Sequence, residues 1–408
     1  MVARKEFLDV LESWKHEKVI KVVTGIRRCG KSTLLKQYQD KLKSEGVSDE
    51  QIISLNLEEL ENEELNNYKS LYEYITQRLC NDKYTYVFLD EIQTVENFQK
   101  AIDSLYVKDN VDIYITGSNA YLLSGELATL LSGRYVEISM LPLSFNEYCQ
   151  CVSGDNDEEK FHDYLLNGGF PLIANMDNRD SNKINTYLEG LYNTVVVKDV
   201  EERDKRRNSD KNKRKVSDVT LLRTLSKYLA SVIGSPVSAK SIADYLSSNG
   251  RKISSNTVED YIEALTESYI FYPVERYDIS GKALLKRNLK YYIVDLGLKR
   301  HLAPKQGYDV GYAIENIVYF ELLRRGYKVN VGKVGNAEVD FVAQKNGAVE
   351  YYQVSASMLE RSVFEREIAP LKNIKDMRAK KILTLDKFGL GDYDGIVVEN
   401  IIDWLKLK

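Results

Sequence analysis

Short apolar runs alternate with amphipathic segments over the first 144 residues. Five of these runs have the length of a buried strand, and they cover residues 19–23, 52–57, 85–89, 112–116 and 135–138. Segments with helical periodicity separate most of them. Strands and helices that alternate in this order form a parallel sheet with helices on both faces. The pattern therefore predicts an α/β core, whose ligands bind at the carboxyl edge of the sheet.

The pattern changes after residue 144. Residues 145–152, 157–166 and 181 to about 197 have helical periodicity, and they predict a small helical lid that follows the core. The next stretch, residues 201–215, is dense in charge and poor in apolar side chains. Such a stretch is either a solvated linker or a basic arm that contacts phosphate.

Residues 215–296 predict three helices followed by a hairpin. The predicted elements are a helix at 218–233, a helix capped by Ser238, a helix capped by Ser255 or Asn256, and strands at 271–277 and 286–294. Three short helices and a hairpin are typical of a winged helix-turn-helix.

The charge of this segment bears on its partner. The start of the third helix is less basic than a helix that reads the DNA major groove would be. Phosphate contacts would then come from the basic side chains of the hairpin, which are Lys282, Lys286, Arg287 and Lys290. Winged helices also dock proteins, so the sequence leaves DNA and protein partners open.

The last segment, residues 297–408, begins with a helix and three strands. The predicted elements are a helix at 313–325 and strands at 327–333, 338–344 and 349–355, with Asn346-Gly347 as the turn before the last strand. Glu315 lies on the helix, Asp340 on the second strand and Gln353 on the third. This order resembles the PD-(D/E)XK nuclease core, in which carboxylates hold Mg²⁺ against the scissile phosphate.

The third strand departs from that nuclease pattern. Gln353-Val354-Ser355 stands where Glu-x-Lys is expected, so a neutral oxygen replaces a carboxylate and the lysine is missing. Glu350 cannot substitute, because strand alternation places it on the opposite face from Gln353. A lysine would have to reach in from elsewhere, for example Lys333 or Lys372. We expect a nuclease-like fold with a degenerate site, whose remnant is Glu315, Asp340 and Gln353.

Composition limits the class of protein. The chain has 408 residues, 43% of them hydrophobic and 29% charged, which indicates a globular protein with two to four domains. Its net charge is −4, so any nucleic-acid surface must be local. No apolar run approaches the roughly 20 residues of a membrane span, and the N-terminus has no export signal. Four scattered cysteines favour a reducing, cytoplasmic location.

A glycine-rich loop follows the first predicted strand and precedes a predicted helix. The chain there reads Gly25-Ile26-Arg27-Arg28-Cys29-Gly30-Lys31-Ser32-Thr33 and completes the pattern G-x-x-x-x-G-K-[ST]. In this context the loop's backbone N–H groups and the helix N-terminus cradle phosphates. Lys31 would reach the β and γ phosphates, and the hydroxyl of Ser32 would ligate Mg²⁺.

A pair of acids ends the third predicted strand. Asp90 and Glu91 directly follow the apolar run that closes at residue 89. A P-loop NTPase places such acids beside the phosphates. Asp90 would hold the Mg²⁺ shell, and Glu91 would act as the general base toward the attacking water. The two motifs together predict a bound nucleoside triphosphate with Mg²⁺.

With these motifs the chain resembles a group of uncharacterised prokaryotic AAA+ ATPases. That group joins an ATPase core, a winged helix and a C-terminal nuclease-like domain. The resemblance covers nearly the whole chain, and its specific matches are residues 22–32, 88–93, 115–119, 141–145, 351–354 and 366–367.

The resemblance also implies ATP as the nucleotide, bound with Mg²⁺, and further site residues. A sensor residue after the fourth strand falls on Ser118 or Asn119. Arg134 is a candidate arginine finger, which would stabilise the transition state from a neighbouring subunit and therefore needs a homo-oligomer. The alternative for Arg134 is a surface ion pair.

The sequence thus predicts a Mg²⁺-dependent ATPase that uses ATP binding and hydrolysis to switch a DNA-binding C-terminal half. The alternatives are an ATP-gated nuclease and an ATP-regulated scaffold that binds protein partners. The expected parts are an AAA+ core at 1–144, a lid and linker at 145–214, a winged helix at 215–296 and a nuclease-like domain at 297–408.

Overall fold

The chain divides into two compact units, Met1–Pro142 with Glu267–Tyr269, and Leu143–Thr266 with Ile270–Lys408. The computed structural model describes residues 2–118, 131, 133–195, 218–304 and 310–407, and for Lys286 and Arg287 only the backbone. Asn119 and the charged stretch 201–215 lie outside these residues. Within the described ranges, no helix combines the length and the apolar character that crossing a membrane requires.

Five parallel strands form the sheet of the first unit, in the order β2-β3-β4-β1-β5. They are β1 (Ile20–Thr24), β2 (Ile52–Asn56), β3 (Thr85–Asp90), β4 (Val111–Gly117) and β5 (Tyr135–Ser139). The inner strands β1, β3 and β4 are buried along their whole length. Inner strands of a parallel sheet are covered on both faces, which explains their nearly continuous apolar runs. The predicted parallel α/β sheet is confirmed.

Helices connect these strands. The described helices of the first unit are α1 (Lys5–Ser13), α2 (Lys31–Ser44), α3 (Tyr68–Thr76) and α4 (Phe98–Tyr106), with short 3-10 turns at Asp49–Gln51, Leu60–Leu65 and Ile92–Thr94. In α4 the buried positions follow helical spacing, at Phe98, Ala101, Ile102 and Leu105. Asn67 caps α3, because its side chain accepts hydrogen bonds from the N–H groups of the first turn. Local sequence therefore specifies these helices well.

One lysine interrupts the apolar run of β1. Lys21 is fully buried, and its ammonium pairs with Asp112 on the neighbouring strand β4. It also donates to the carbonyl of Glu17 at 3.2 Å. Burial lowers the pKa of Lys21, although the carboxylate of Asp112 opposes this shift. A charge in this core is tolerated because its partner is supplied by the adjacent strand.

A nine-stranded mixed sheet forms the frame of the second unit, in the order β13-β14-β12-β11-β10-β9-β7-β8-β6. Its strands are β6 (Pro236–Val237), β7 (Phe271–Asp278), β8 (Ala283–Ile293), β9 (Lys328–Val334), β10 (Ala337–Lys345), β11 (Ala348–Ser355), β12 (Lys380–Thr384), β13 (Gly391–Tyr393) and β14 (Ile396–Asn400). Asn346 and Gly347 both have positive φ at the turn between β10 and β11, as predicted for this hairpin.

The β7–β8 hairpin belongs to the same sheet as the strands that carry Asp340 and Gln353. β7 pairs with β9 in parallel, with Arg276 beside Val331 and Asp278 beside Lys333. Pairing across 55 residues of sequence has no local signature. It places the side chains of β8 beside a helix and strands that lie much later in the chain.

The helices of the second unit complete the frame. Those described are α5 (Phe145–Cys151), α6 (Asp157–Asn167), α7 (Pro171–Ala174), α8 (Ser181–Asn193), α9 (Val219–Ser231), α10 (Ala239–Ser248), α11 (Ser255–Glu267), α12 (Leu296–Leu302), α13 (Val310–Arg324), α14 (Arg361–Lys372) and α15 (Ile401–Lys406). Ser238 caps α10 as predicted. The predicted cap of α11 is wrong by one residue, because α11 begins at Ser255 and the hydroxyl of Ser254 accepts from the N–H of Thr257 at 3.2 Å.

A buried carboxylate ties α12 to the loop after α6. Asp295 accepts hydrogen bonds from the N–H of Gly169 at 2.6 Å and from the N–H of Leu298 at 3.1 Å. A Cβ on Gly168, which has φ +77°, would collide with this carboxylate. Burial raises the pKa of Asp295 to about 6, although the backbone N–H groups oppose this rise. The glycines thus allow a buried acid to cap a helix and hold a loop.

Candidate functional site

The phosphate-loop sequence links β1 to α2. Gly25 has φ +140°, and a Cβ there would collide with the carbonyl oxygen of Met140. Gly30 has φ +108° and occupies the N-cap position of α2. Both positions therefore require glycine, the first for space and conformation and the second for conformation. The start of α2 carries orphan backbone N–H groups, which suit an anion.

Lys31 lies across this loop. Its side chain is nearly fully buried, and its ammonium donates to the carbonyls of Gly25 at 3.1 Å and Ile26 at 3.4 Å. The same ammonium lies 3.8 Å from a carboxylate oxygen of Glu91. A buried ammonium held at a glycine loop can neutralise phosphate oxygens once they replace these carbonyls.

Asp90 closes β3 beside the loop. Its carboxylate accepts hydrogen bonds from the hydroxyls of Thr116 and Ser32. Burial raises the pKa of Asp90, and the two hydroxyls oppose this rise. A hydroxyl and a carboxylate are hard oxygen ligands of the kind that Mg²⁺ prefers. The residues present therefore fit the predicted metal shell.

Glu91 is fixed by backbone and side-chain contacts. Its φ of 52° lies in the left-handed region, and its N–H donates to the hydroxyl of Thr116 at 2.9 Å. Its carboxylate accepts from the hydroxyl of Ser118 at 3.2 Å and from the amide of Gln93. A left-handed non-glycine residue at such a place is a strained conformation that surrounding contacts maintain. The arrangement orients one buried carboxylate toward the phosphate loop.

The other predicted loop residues divide between the core and the surface. Ile26 and Cys29 are fully buried, and burial raises the pKa of the Cys29 thiol. Arg27 pairs with Glu58 at 3.3 Å, and Arg28 is exposed in a left-handed conformation, with φ 66°. Thr33, the third residue of α2, is half-buried. The side chains of 26 and 29 anchor the loop, which leaves its backbone to face a ligand.

Arg134 lies just before β5. Its guanidinium pairs with Asp103 on α4 and lies 5.4 Å from the ring centre of Tyr106. Its side chain is 42% exposed, so the ion pair is a surface one. Its role as an arginine finger stays a prediction, as does the sensor role of Ser118. The other candidate sensor, Asn119, lies outside the described residues.

Sequence reasoning missed two residues that hold the acid pair. Thr116 contacts both acids, and Gln93 donates to Glu91. Thr116 lies at the carboxyl end of β4, which is the strand between β3 and β1. The available signal in the sequence was a polar residue at the end of a strand. This signal points to the acid pair only when it is known that β4 lies beside β3.

A second polar cluster surrounds Glu315 in the second unit. The ammonium of Lys290 lies 3.0 Å from Glu315 and 2.8 Å from Glu338, and the hydroxyl of Tyr292 donates to Glu315 at 2.5 Å. Lys290 is buried, so the prediction that it contacts phosphate from the hairpin is wrong. Burial alone would lower the pKa of Lys290, but Glu315, Asp340 and Glu338 together raise it. The structure places Lys290 beside Glu315, whereas Lys372 lies 3.2 Å from Asp394.

Asp340 and Gln353 meet next to this cluster. Asp340 accepts from the N–H of Val354 at 2.8 Å, while the amide of Gln353 donates to Glu367 on α14 at 2.9 Å. A pocket of about 590 Å³ is lined by Glu315, Asp340, Gln353, Ser355, Arg366 and Glu367, among others. Burial and the charge of Glu315 raise the pKa of Asp340. Within the described ranges, no three His, Cys, Asp or Glu side chains form a group suited to a metal ion.

Comparison with known families identifies the class of protein. The profile of an AAA domain matches residues 17–149, and that of a domain of unknown function, DUF8612, matches residues 158–309. The five-stranded parallel sheet with its phosphate loop and acid pair is thus an AAA-type P-loop ATPase fold. The chain belongs to the same family as an uncharacterised Haemophilus influenzae protein, which is 38% identical over 410 residues, with 99% of this chain and 98% of that protein covered.

Further relatives extend this comparison. An uncharacterised Methanocaldococcus jannaschii protein is 30% identical over 387 residues, with 89% of this chain and 80% of that protein covered. Among solved structures, the Walker-type ATPase of Pyrococcus abyssi aligns with a TM-score of 0.48 at 17% identity, over 73% of this chain and 95% of that chain. DnaA from Aquifex aeolicus bound to AMPPCP aligns with a TM-score of 0.30 at 16% identity, over 64% and 86%.

Proposed function

We propose that this protein binds ATP with Mg²⁺ and hydrolyses it. The observation that carries the proposal is the meeting of Lys31, Asp90 and Glu91 at the carboxyl edge of the parallel sheet, with Glu91 held by Ser118. The loop amides and the ammonium of Lys31 would bind the β and γ phosphates, and Ser32 and Asp90 would hold the metal. Bound Mg²⁺ would neutralise charge that develops on the phosphate oxygens.

The chain's own residues then supply the proton transfer. The carboxylate of Glu91 would accept the proton of the attacking water while oxygen attacks the γ-phosphorus and the bond to the β-phosphate oxygen breaks. Ser118 and Gln93 would hold this carboxylate in place. The contact between Lys31 and Glu91 would loosen when phosphate oxygens replace the loop carbonyls around the ammonium.

Steady-state phosphate release tests this proposal. Glu91→Gln should reduce kcat by about 10²- to 10⁴-fold with nucleotide affinity nearly retained. Lys31→Ala should lose nucleotide affinity, and Glu61→Gln, an exposed acid on a 3-10 turn, should behave as wild type. Equal release by wild type, Lys31→Ala and Glu91→Gln would remove the hydrolytic function.

We further propose that nucleotide state switches a DNA-binding C-terminal half. In this proposal the predicted four-part division holds, and α9, α10, α11 and the β7–β8 hairpin form a winged helix. Three exposed lysines support phosphate contact, Lys240, Lys252 and Lys282. The exposed acids Glu259 and Glu263 on α11 would repel phosphate, so contacts would come from these three lysines instead.

Salt-dependent DNA binding separates this role from a protein scaffold. Binding through phosphate should weaken with salt, and each of Lys240→Ala, Lys252→Ala and Lys282→Ala should reduce the salt slope by about one. Lys36→Ala, an exposed lysine of α2, is the matched control. A protein that binds no DNA at low salt would favour the scaffold.

The pocket around Asp340 supports a second candidate function, that of an ATP-gated nuclease. The specific observation in its favour is Lys290, a buried cation beside Glu315 in a site whose strand motif lacks its lysine. Glu367 adds a carboxylate where Gln353 supplies only an amide. The neutral Gln353 favours the main proposal, in which this unit binds but does not cleave.

Plasmid cleavage with Mg²⁺ or Mn²⁺ decides between these roles. A nuclease should cut the plasmid and lose this activity on Asp340→Ala and on Lys290→Met. The variant Gln353→Glu restores a carboxylate, and it should raise metal affinity if the pocket retains a nuclease geometry. No cleavage by wild type or by Gln353→Glu, with and without ATP, would exclude the nuclease.

A further inference from the structure

A buried arginine near the N-terminus contacts the phosphate loop. Arg4 is only 3% exposed, and its guanidinium donates to the carbonyl of Cys29 at 3.2 Å and to the carbonyl of Leu141 at 2.9 Å. Cys29 is the fifth residue of the glycine loop. Leu141 lies just after β5, next to the residue whose carbonyl packs against Gly25. One side chain therefore joins the loop itself to the segment that follows β5.

The neighbours of Arg4 fix its position. The backbone N–H of Arg4 donates to the side-chain amide oxygen of Gln37 on α2 at 3.3 Å. The side-chain nitrogen of Gln37 donates in turn to the carbonyl of Val2 at 2.9 Å. The guanidinium carbon lies 4.9 Å from the ring centre of Phe7. Val2 and Arg4 are thus bonded to α2, the helix that follows the loop, and these bonds hold Arg4 where it reaches Cys29.

Peptide geometry gives this contact a consequence at the phosphate site. In a planar trans peptide, the C=O of one residue and the N–H of the next point in opposite directions. Because Arg4 holds the carbonyl of Cys29 on its own side, the N–H of Gly30 points the other way. A loop of this kind binds phosphate through such N–H groups, and an inverted peptide would present a carbonyl oxygen to the anion instead.

We propose that Arg4 is a positioning residue for nucleotide binding, which acts by setting the orientation of the Cys29–Gly30 peptide. This inference rests on the proposed function, because it assigns Arg4 to the same phosphate site. Gly30 has φ +108° and no Cβ, so on its side of this peptide there is no steric restraint from a side chain. A fixed donor at the carbonyl supplies the restraint that glycine cannot.

The alternative is that Arg4 only stabilises the fold. A merely structural role would lower the melting temperature without changing the affinity of the molecules that remain folded. A positioning role changes the dissociation constant and KM of the folded protein, while kcat at saturating ATP changes little. Cys29 and Leu141 each accept from Arg4 through a backbone carbonyl. The ammonium of a lysine can donate to such a carbonyl, so Arg4→Lys should restore part of the restraint on the Cys29–Gly30 peptide.

The test is calorimetric titration of MgADP into full-length wild type, Arg4→Ala, Arg4→Lys and the control Lys5→Ala, an exposed neighbour. Loss of a hydrogen bond to a charged group predicts a dissociation constant about 10- to 100-fold weaker for Arg4→Ala. Arg4→Lys should be intermediate, Lys5→Ala unchanged, and KM for ATP should rise by the same factor as the dissociation constant. Melting curves identify any variant that is unfolded. If Arg4→Ala is unfolded, the affinity of Arg4→Lys for MgADP tests the inference instead.

Two failures are distinguishable in this design. Wild type that takes up no MgADP would overturn the proposed function and this inference with it. Wild-type uptake together with unchanged affinity in folded Arg4→Ala or Arg4→Lys would overturn the inference alone.

Discussion

At the residue scale, buried charges in this protein depend on partners that come from other strands or loops. Lys21 is neutralised by Asp112 across β1 and β4. Lys290 on β8 is neutralised by Glu315 on α13. Asp295 relies mainly on backbone N–H groups, and the charge of Arg324 adds a smaller stabilisation. Each group would be costly alone, since desolvation of an uncompensated ion exceeds any single hydrogen bond.

Breaking the Lys21–Asp112 pair should therefore be strongly destabilising. Asp112→Ala leaves a buried ammonium without its carboxylate, and we expect the free energy of unfolding to fall by about 3–5 kcal/mol. The exposed pair of Lys18 and Asp109 provides the control, because Asp109→Ala removes a carboxylate that is fully solvated. Urea unfolding of the two variants measures the difference. Similar losses for both would show that burial does not set the energetics of the pair.

Asp295 should make stability depend on pH in an identifiable way. Its pKa is about 6 in the folded protein and about 4 in an unfolded chain. At pH values between these two, the folded state binds more protons than the unfolded state. The contribution of Asp295 to the free energy of unfolding therefore falls as the pH rises from about 4 to 6. Relative to Asp295→Asn, which cannot titrate, wild type should lose about 3 kcal/mol over this window.

Denaturant unfolding from pH 4 to 7 tests this difference in slope. Asp244→Asn, which alters an exposed acid of α10, is the matched comparison. Parallel pH profiles for wild type and Asp295→Asn would contradict the raised pKa.

At the scale of elements, the link between β1 and α2 concentrates the constraints on the fold. Gly25 and Gly30 provide backbone conformations that other residues resist, and Ile26 and Cys29 anchor the loop in the core. The carbonyl of Met140 after β5 occupies the space where a side chain at 25 would lie. A loop with these restraints on both sides can hold its N–H groups in place before a phosphate arrives.

Gly25→Ala should disrupt this element. Its Cβ would collide with the carbonyl of Met140 in a conformation that L-residues rarely adopt, so we expect lower stability and at least about tenfold weaker MgADP binding. Gly46→Ala shares a positive φ, +97°, but its Cβ would meet nothing within 4 Å. The control therefore separates the collision from the backbone strain. Equal MgADP affinity for Gly25→Ala and wild type in calorimetry would contradict a tight loop.

At the scale of the whole molecule, the chain forms two compact units with separate sheets. The first carries the phosphate loop, and the second carries the pocket around Asp340. A ligand that binds only the native state stabilises the unit that holds it. Nucleotide binding should therefore be measurable as added stability of the first unit.

Scanning calorimetry should detect this added stability. We expect MgADP to raise the unfolding temperature of the first unit, which carries the phosphate loop. At 100 times the dissociation constant the added stability is about 2.7 kcal/mol. Lys31→Ala should abolish this shift. A wild-type transition that does not move at saturating MgADP would contradict nucleotide binding at this loop.

The sequence predicted the parts of this protein that short-range rules govern. The strands of the first unit, the phosphate loop and the acid pair were all found from contiguous residues. Hairpin geometry at Asn346-Gly347 was equally local. By contrast, the restraints on Glu91 from Thr116 and Ser118 required knowledge that β4 lies beside β3. The prediction for Lys290 failed because a basic residue in a hairpin gives no sign of its burial.

The sequence by itself determined the chemistry of the phosphate site, since eight adjacent residues and one strand end carry it. The tertiary structure alone decided which distant residues contact one another. Arg4 meets carbonyls 25 and 137 residues away, and Lys290 meets an acid 25 residues away. The physical reason is that a backbone conformation is specified by near neighbours, whereas a contact across a sheet depends on the order in which strands pair.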